Sequence, residues 1–167
     1  GYLEGAGLNT TTSMVKTVKN GNDTLEYAYD SVGNITSISK NGTVVESYTY
    51  DALRQLKTVT RGSDVWEYTY DAGGNILSVI KNGVAEKTYT YGDESWMDKL
   101  TAFNGQTITY DAIGNPLQYR DGYNFTWTGG RQLGTITKGN ENISYAYDAD
   151  GLRTSKTVNG TTTDYYW

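Results

Sequence analysis

The sequence predicts an all-β fold, with repeated antiparallel β-hairpins laid side by side in one long, curved, spiralling sheet. Three observations carry this. A Tyr-x-Tyr-Asp motif recurs at steps of 17 to 21 residues, and such a period marks a repeat architecture whose units bury apolar surface only by stacking on neighbours. Asn-Gly, the strongest two-residue hairpin signal, returns between the motif copies. Thr, Val, Ile and Tyr dominate the segments between turns, and these side chains suit a pleated, half-buried surface.

The full motif stands at Tyr27-Ala28-Tyr29-Asp30, Tyr48-Thr49-Tyr50-Asp51, Tyr68-Thr69-Tyr70-Asp71 and Tyr145-Ala146-Tyr147-Asp148. Degenerate copies stand at Tyr89-Thr90-Tyr91-Gly92, Ile108-Thr109-Tyr110-Asp111, Phe125-Thr126-Trp127-Thr128 and Tyr165-Tyr166-Trp167. Strand periodicity places the two aromatics of each copy on one face and the intervening residue and the Asp on the other. Stacked hairpins then align the aromatics into ladders in which each ring shields the next repeat. Residues 15–167 thus read as about seven repeats, after an irregular segment 1–14. A chain that begins at Gly1 and stops inside a copy at Trp167 reads as an excised piece of something longer.

Each unit needs two turns. The first falls at Asn20-Gly21, Asn41-Gly42, Asn82-Gly83, Asn104-Gly105, Asn159-Gly160 and the equivalent Asp121-Gly122, because Asn and Gly best tolerate the positive φ of a tight hairpin. A turn at Asn41-Gly42 pairs Lys40 with Thr43, Ile38 with Val45 and Ile35 with Tyr48. A turn at Asn82-Gly83 likewise sets Ile76 across from Tyr89. The second turn follows the motif Asp, as in Asp30-Ser31-Val32-Gly33-Asn34, Asp71-Ala72-Gly73-Gly74-Asn75 and Asp111-Ala112-Ile113-Gly114-Asn115. There Asp accepts a backbone N–H two residues on, and Gly takes the left-handed conformation. These loops lack the carboxylate density of a calcium loop, so the Asp is read as a turn-former and no metal or cofactor is expected.

Composition narrows the function. Histidine is absent, which removes the usual general base and the commonest metal ligand. The carboxylates that stand out repeat in equivalent positions, whereas a catalytic pair is singular and asymmetric. The chain is therefore read as non-enzymatic. It has no cysteine, hence no disulfide or thiolate chemistry. A net charge of −5 with no basic run argues against a nucleic-acid surface, and no apolar stretch approaches membrane-spanning length. The 16 Tyr and 4 Trp leave one binding alternative open, a row of aromatic platforms for sugar rings. Trp66, Trp96 and Trp127 are its candidate residues. The irregular stretch 91–100, which carries Glu94, Trp96 and Asp98, is read as a longer turn with Trp96 packed onto the sheet.

Tyr-Asp followed by Gly-Asn at a period near twenty resembles the bacterial Rhs or YD-repeat family, which includes wall-associated proteins of Gram-positive bacteria. The likeness runs from about Val15 onward, with segments 108–116 and 147–156 similar to late repeats of the Gram-positive members. The resemblance implies a structural repeat motif of Tyr27, Tyr29, Asp30, Tyr48, Tyr50, Asp51, Tyr68, Tyr70, Asp71, Tyr89, Tyr91, Tyr110, Asp111, Trp127, Tyr145, Tyr147 and Asp148. It implies hairpins wound into a hollow shell around a C-terminal toxin, in a secreted or surface-exposed bacterial protein. The partners implied are the remaining repeats and that toxin, with exposed edge strands open to self-association. The Asp-Pro-containing core motif of the family does not occur here, so self-cleavage and toxicity are not carried over. The rival expectation is a cell-surface adhesin that binds glycans.

Overall fold

The computed structural model describes residues 1–5 and 11–167, so most of segment 1–14 is included while part of it lies outside the described residues. Its regular structure is strand throughout, apart from one short 3-10 turn at Arg120–Gly122. Two compact units divide the chain, Gly1–Lys87 and Thr88–Trp167.

In the first unit, β1 (Tyr2–Glu4) pairs antiparallel with β2 (Thr11–Val15). A meander follows, in which every strand lies beside its predecessor: β3 (Thr17–Asn20), β4 (Asp23–Tyr29), β5 (Ile35–Lys40), β6 (Thr43–Tyr50), β7 (Leu56–Arg61), β8 (Asp64–Tyr70) and β9 (Ile76–Lys81). Strand β10 (Val84–Thr90) begins here. In the second unit the end of β10 pairs with β11 (Ala102–Phe103), and β11 with β12 (Gln106–Thr107). A second meander then runs through β13 (Thr109–Tyr110), β14 (Pro116–Tyr119), β15 (Tyr123–Thr128), β16 (Gln132–Lys138), β17 (Glu141–Tyr147), β18 (Arg153–Val158) and β19 (Thr161–Asp164).

The predicted all-β array of antiparallel hairpins is therefore present, with one difference: the strands form separate hydrogen-bonded ladders rather than one. In the second unit the ladder of β11 and β12 stops at Thr107 and a new one starts at Thr109. Ile108 lies between them, only 3% exposed, with its N–H turned to the Thr101 carbonyl. Burying that side chain takes the backbone out of the pleat.

The register departs from the simple alternation expected. A β-bulge interrupts the pairing between the middle residue and the second aromatic at six copies of the motif, at Ala28/Tyr29, Thr49/Tyr50, Thr69/Tyr70, Thr109/Tyr110, Thr126/Trp127 and Ala146/Tyr147. The extra residue always lies on the following strand, as Thr36, Lys57, Leu77, Leu117, Gly134 and Thr154. A bulge bends its strand and increases the local twist, so the array gains curvature once per repeat.

A further bulge, between Ile38 and Ser39, explains a correction: Ile38 faces Glu46, not Val45, and with Ser37 facing Ser47 the register no longer brings Ile35 to Tyr48. Tyr48 instead faces Val59 of the strand after it. The same forward pairing joins Tyr27 to Ile38, Tyr68 to Val79, Phe125 to Ile136 and Tyr145 to Lys156. Aromatic against β-branched is a favourable cross-strand pair, worth about 0.2–1 kcal/mol, and it recurs at four of these five. Val59 and Val79, which sit under Tyr48 and Tyr68, are among the few buried apolar residues. On the opposite, exposed face, middle-position hydroxyls meet across strands: Thr49 with Thr58, Thr69 with Ser78 and Thr126 with Thr135.

The hairpin turns are of two kinds. Asn41, Asn82, Asn104 and Asn159 take φ between 47° and 51° and a positive-φ Gly follows each. At Asn20-Gly21 the expectation fails by one residue: Asn20 pairs with Asp23 as the last strand residue, and Gly21 takes positive φ as the first turn position. Gly62 and Gly139 begin turns in the same way.

The chain exposes more surface than a globule of its mass. Accessible surface totals 11342 Å², whereas a globular chain of 18.4 kDa exposes about 8,200 Å² on the usual scaling. Small per-residue burial makes local backbone strain count. Arg54 holds φ 64° where the equivalent loops place Gly33, Gly74, Gly114 and Gly151. Removing its Cβ relieves about 1–2 kcal/mol of left-handed strain and adds back about 0.5–1 kcal/mol of unfolded-chain entropy. Arg54→Gly is accordingly expected to raise the urea midpoint by the equivalent of about 0.5–1 kcal/mol, and a lowered midpoint contradicts the strain.

Candidate functional site

The chemistry that recurs with the period lies at the junction between consecutive repeats. It begins with the motif Asp. Asp30 Oδ1 accepts the N–H groups of Val32 (3.0 Å) and Asn34 (2.8 Å), while Oδ2 accepts the Asn34 side-chain amide at 2.9 Å. Asp71 and Asp111 hold Gly73 and Asn75, and Ile113 and Asn115, in the same way. Asp51 holds Leu53 and Gln55, and Asp148 holds Asp150 and Leu152, through N–H groups alone. Their Oδ1 oxygens are taken up in shaping the loop, which is the turn-forming role. Among the described residues no group of three or more candidate ligands is placed to hold a metal ion.

The loop aims the residue five positions after the Asp, and that residue receives the next repeat. Tyr50 donates its hydroxyl to the Ile35 carbonyl at 2.8 Å, Tyr70 to Leu56 at 2.7 Å and Tyr147 to Leu133 at 3.1 Å. Tyr29 reaches Val15 at 2.7 Å and Tyr110 reaches Leu100 at 2.6 Å. Where the second aromatic is Trp the indole N–H replaces the hydroxyl: Trp127 donates to Pro116 at 2.7 Å and Trp167 to Arg153 at 3.0 Å. Most of these acceptors already serve their own repeat, since Ile35 lies across from Tyr29, Leu56 from Tyr50 and Arg153 from Tyr147. One residue thus joins two aromatics of successive copies.

This tie was not expected from the residues. The anticipated glue was ring packing alone, and ring contacts do join Tyr89 to Phe103 (5.1 Å, edge-on) and Tyr123 to Phe125 (6.4 Å, stacked). The acceptor is a backbone carbonyl borne by Ile, Leu, Pro or Arg, so side-chain identity carries no signal for it. Spacing carries it in part: the acceptor lies 14 or 15 residues before the aromatic at five copies, and 10 or 11 before Tyr110 and Trp127. Tyr91, whose copy has Gly92 for Asp, is half-buried, and the Gly92 N–H is taken by Thr101 Oγ1 at 2.8 Å.

The opposite end of the hairpins carries a second tie. Asn41 Oδ1 accepts the Thr24 N–H at 2.8 Å while its own N–H donates to the Thr24 carbonyl. Asn82 grips Val65, Asn104 grips Thr88 and Asn159 grips Asn142 in the same two-bond manner. Asn41 and Asn82 also donate to Asp23 and Asp64, which pair with Lys40 (2.8 Å) and Lys81 (3.0 Å). The spacing of Asp23 to Lys40-Asn41 repeats in Asp64 to Lys81-Asn82, a legible signal that attention to the turns alone overlooks.

Of the three tryptophans named as sugar platforms, Trp96 is exposed, and Trp66 and Trp127 are half-buried. Trp66 has Lys81 Nζ at 4.8 Å and Arg61 at 5.8 Å from its ring centre. Trp127 forms the junction bond. Trp96 packs against the loop backbone at Gly114: a Cβ there would come within 2.7 Å of its ring. Asp93 shapes that stretch by accepting the N–H groups of Ser95 and Trp96 and pairing with Lys99. Lys99 in turn lies 5.6 Å from the Trp96 ring and 5.4 Å from that of Tyr110.

Ionisation states reinforce the junction. The Asn75 side-chain amide, with backbone N–H donors behind it, holds the Asp71 carboxyl below its ordinary 3.8. For Asp30 and Asp111 desolvation pushes upward, and the donors from Asn34 and Asn115 and their loops outweigh it, so both also lie low. Burial raises Tyr50, Tyr70 and Tyr110 above 10.0, aided by Asp30, by Tyr68 and Asp51, and by Tyr119 respectively. Burial and the carboxylate of Glu46, which accepts its hydroxyl, push Tyr48 up to about 12.

Two predictions follow from these contacts. Tyr70→Phe keeps the ring and loses the bond, and is expected to lower unfolding free energy by about 1 kcal/mol; Thr69→Val on the exposed face stays within about 0.5 kcal/mol. Equal losses in urea denaturation would remove the junction's special standing. The second concerns pH. A depressed Asp contributes stability above its ordinary value and loses it as pH falls through the folded pKa; a raised Tyr contributes below its ordinary value and loses it as pH rises through the folded one. The urea midpoint is therefore expected to hold across neutral pH, to fall below 3.8 and to fall again above 10. Asp71→Asn shrinks the acid-side fall, and an unchanged acid limb would dissociate it from this loop.

Comparison with known proteins places this geometry. The family profile described as Teneurin YD-shell matches residues 7–166. Two relatives, the tRNA3(Ser)-specific nuclease WapA of Bacillus spizizenii and the tRNA nuclease WapA of Bacillus subtilis (strain 168), are each 39% identical over 75 residues, or 42% of this chain. The chain spans 3% of their length. Among solved structures, TcdB2-TccC3-Cdc42 superposes with a TM-score of 0.64 at 20% identity, covering 86% of this chain and 10% of that one. The Photorhabdus luminescens Tc holotoxin pore gives 0.55 at 22% identity, over 82% and 9%. These likenesses show a shared fold, and the profile extends over nearly every repeat. With residues 7–166 matched, this chain belongs to the Teneurin YD-shell family.

Proposed function

We propose that the chain is a wall segment of a hollow β-shell that encloses a C-terminal toxin, within a longer secreted or surface-exposed bacterial protein. The observation that carries this reading is the junction itself. Tyr29, Tyr50, Tyr70, Tyr110, Trp127, Tyr147 and Trp167 each donate an X–H to a backbone carbonyl of the preceding stretch, in both units. Such a rule adds repeats without limit and needs no closed core, which suits a wall. Residues 15–167 supply the repeats and 1–14 an irregular lead-in.

The family description and the nuclease names of the relatives support the toxin context. The partners are the remaining repeats and the enclosed segment. Strand β19 has β18 as its sole neighbour within its sheet, and its open edge is where the next hairpin of the parent pairs. When that hairpin is missing, a second copy takes its place. The glycan-binding alternative rests on Trp66, Trp96 and Trp127, of which Trp96 is 50% exposed and the other two half-buried.

Limited proteolysis of the parent protein tests enclosure. The C-terminal segment is expected to resist protease while the wall is intact, and to be cut at the rate of the isolated segment once Tyr50, Tyr70 and Tyr147 are all replaced by Ala. Equal cleavage in the unaltered parent and in the isolated segment rules the shell out.

A further inference from the structure

Five Asn-Gly dipeptides punctuate the chain, and this dipeptide is the one most open to spontaneous deamidation. The Gly nitrogen attacks the Asn side-chain carbonyl carbon and ammonia leaves. Water then opens the five-membered imide to aspartate or isoaspartate. Glycine favours the attack because it has no Cβ to obstruct the nitrogen and can adopt the conformations the ring needs. The step requires the Asn side chain to swing onto the backbone of its own successor.

Four of the five side chains are held away from that position. Asn41, Asn82, Asn104 and Asn159 each give Oδ1 to a backbone N–H of the preceding hairpin, at 2.7–2.8 Å. Asn41 and Asn82 are held a second time, their amides donating to Asp23 at 3.2 Å and to Asp64 at 2.8 Å. Each backbone N–H of the four is also engaged with that same preceding hairpin. Closing the imide would break the junction at the hairpin tip.

All five Asn are exposed, and none of the glycines that follow has an atom within 4 Å of where a Cβ would stand, so the difference at Asn20 lies in its restraints. It is the last residue of β3, opposite Asp23 and without positive φ. Its side chain has no hydrogen-bond partner among the described residues, and the Gly21 that follows takes φ 59° as the first turn position.

We infer that Asn20-Gly21 is a self-modification site at which the folded chain converts to aspartate and isoaspartate, while the four interlocked Asn-Gly turns are preserved. The balance is Asn plus water giving Asp plus ammonia, with no oxidant or enzyme. The product sets a carboxylate beside Asp23, which already pairs with Lys40. Isoaspartate further lengthens the backbone at the end of β3, so conversion loosens the β3–β4 turn and leaves the later hairpins as they are.

Peptide mapping by mass spectrometry after prolonged incubation in mildly alkaline buffer, with isoaspartyl methyltransferase labelling, reads the outcome. Asn20 is expected to convert at least about tenfold faster than Asn41 or Asn82, the order set by the hydrogen bonds that must break first. In concentrated urea the five sites are expected to converge. Asp64→Ala, which removes the second restraint on Asn82, is expected to raise conversion at Asn82 and not at Asn159. Equal rates at Asn20 and Asn82 in the folded chain overturn the proposal. So does an advantage for Asn20 that persists in urea, since local sequence would then be the cause, or an Asp64→Ala variant with Asn82 unchanged.

Discussion

A hydrogen bond from the second aromatic of one repeat to a backbone carbonyl of the repeat before it is the constraint on which this structure rests. A single hairpin is at best marginal in water, and the accessible surface shows how little of this chain is buried in the ordinary sense. Stability must therefore come from between neighbours. The Tyr hydroxyl is half-buried, and a half-buried donor without an acceptor is costly. The bond makes the position of each repeat conditional on its predecessor.

The features around the bond are arranged to deliver it. The motif Asp gathers the N–H groups of its loop, which sets the direction in which the chain re-enters the sheet. The bulge before the second aromatic lets that side chain leave the regular pleat and reach the acceptor carbonyl. The first aromatic stays in the pleat and covers a β-branched residue such as Val59 or Val79. The two tyrosines of a copy, alike in sequence, thus do different work: one packs and the other ties. Substitution by Trp at Trp127 and Trp167 is tolerated because an indole N–H serves as donor in place of a hydroxyl.

At the other end of the hairpins the Asn turns apply the same logic with an amide. Asn41 both takes the positive φ of its turn and closes the ladder edge of the hairpin before it. A residue chosen for turn geometry alone could be Gly or Asp, but only an amide can accept a backbone N–H through Oδ1 and donate to Asp23 through Nδ2. Where Asn41, Asn82, Asn104 or Asn159 forms the turn, the hairpin is joined to the strand before it at that end as well.

The repeat, its period, the hairpin class and the turn-forming role of Asp were legible in the sequence, because periodicity and turn chemistry are properties of local segments. Asp30, Asp71 and Asp111 accept the N–H two residues on, as their residue type implies. The register was not legible. A bulge inserts one unpaired residue without any signature of its own, since Thr36, Lys57, Leu77 and Gly134 share no chemistry, and the further bulge between Ile38 and Ser39 moved the partner of Ile38 from Val45 to Glu46. Nor was the junction bond, whose acceptor is backbone, nor the contact of Trp96 with Gly114. Amino-acid order by itself determined which segments become strands and how often they return, since those follow from side-chain shape and turn propensity along one stretch of chain. Tertiary structure alone decided which atoms meet across repeats, because that depends on how two distant stretches settle against each other once the bulges have turned them.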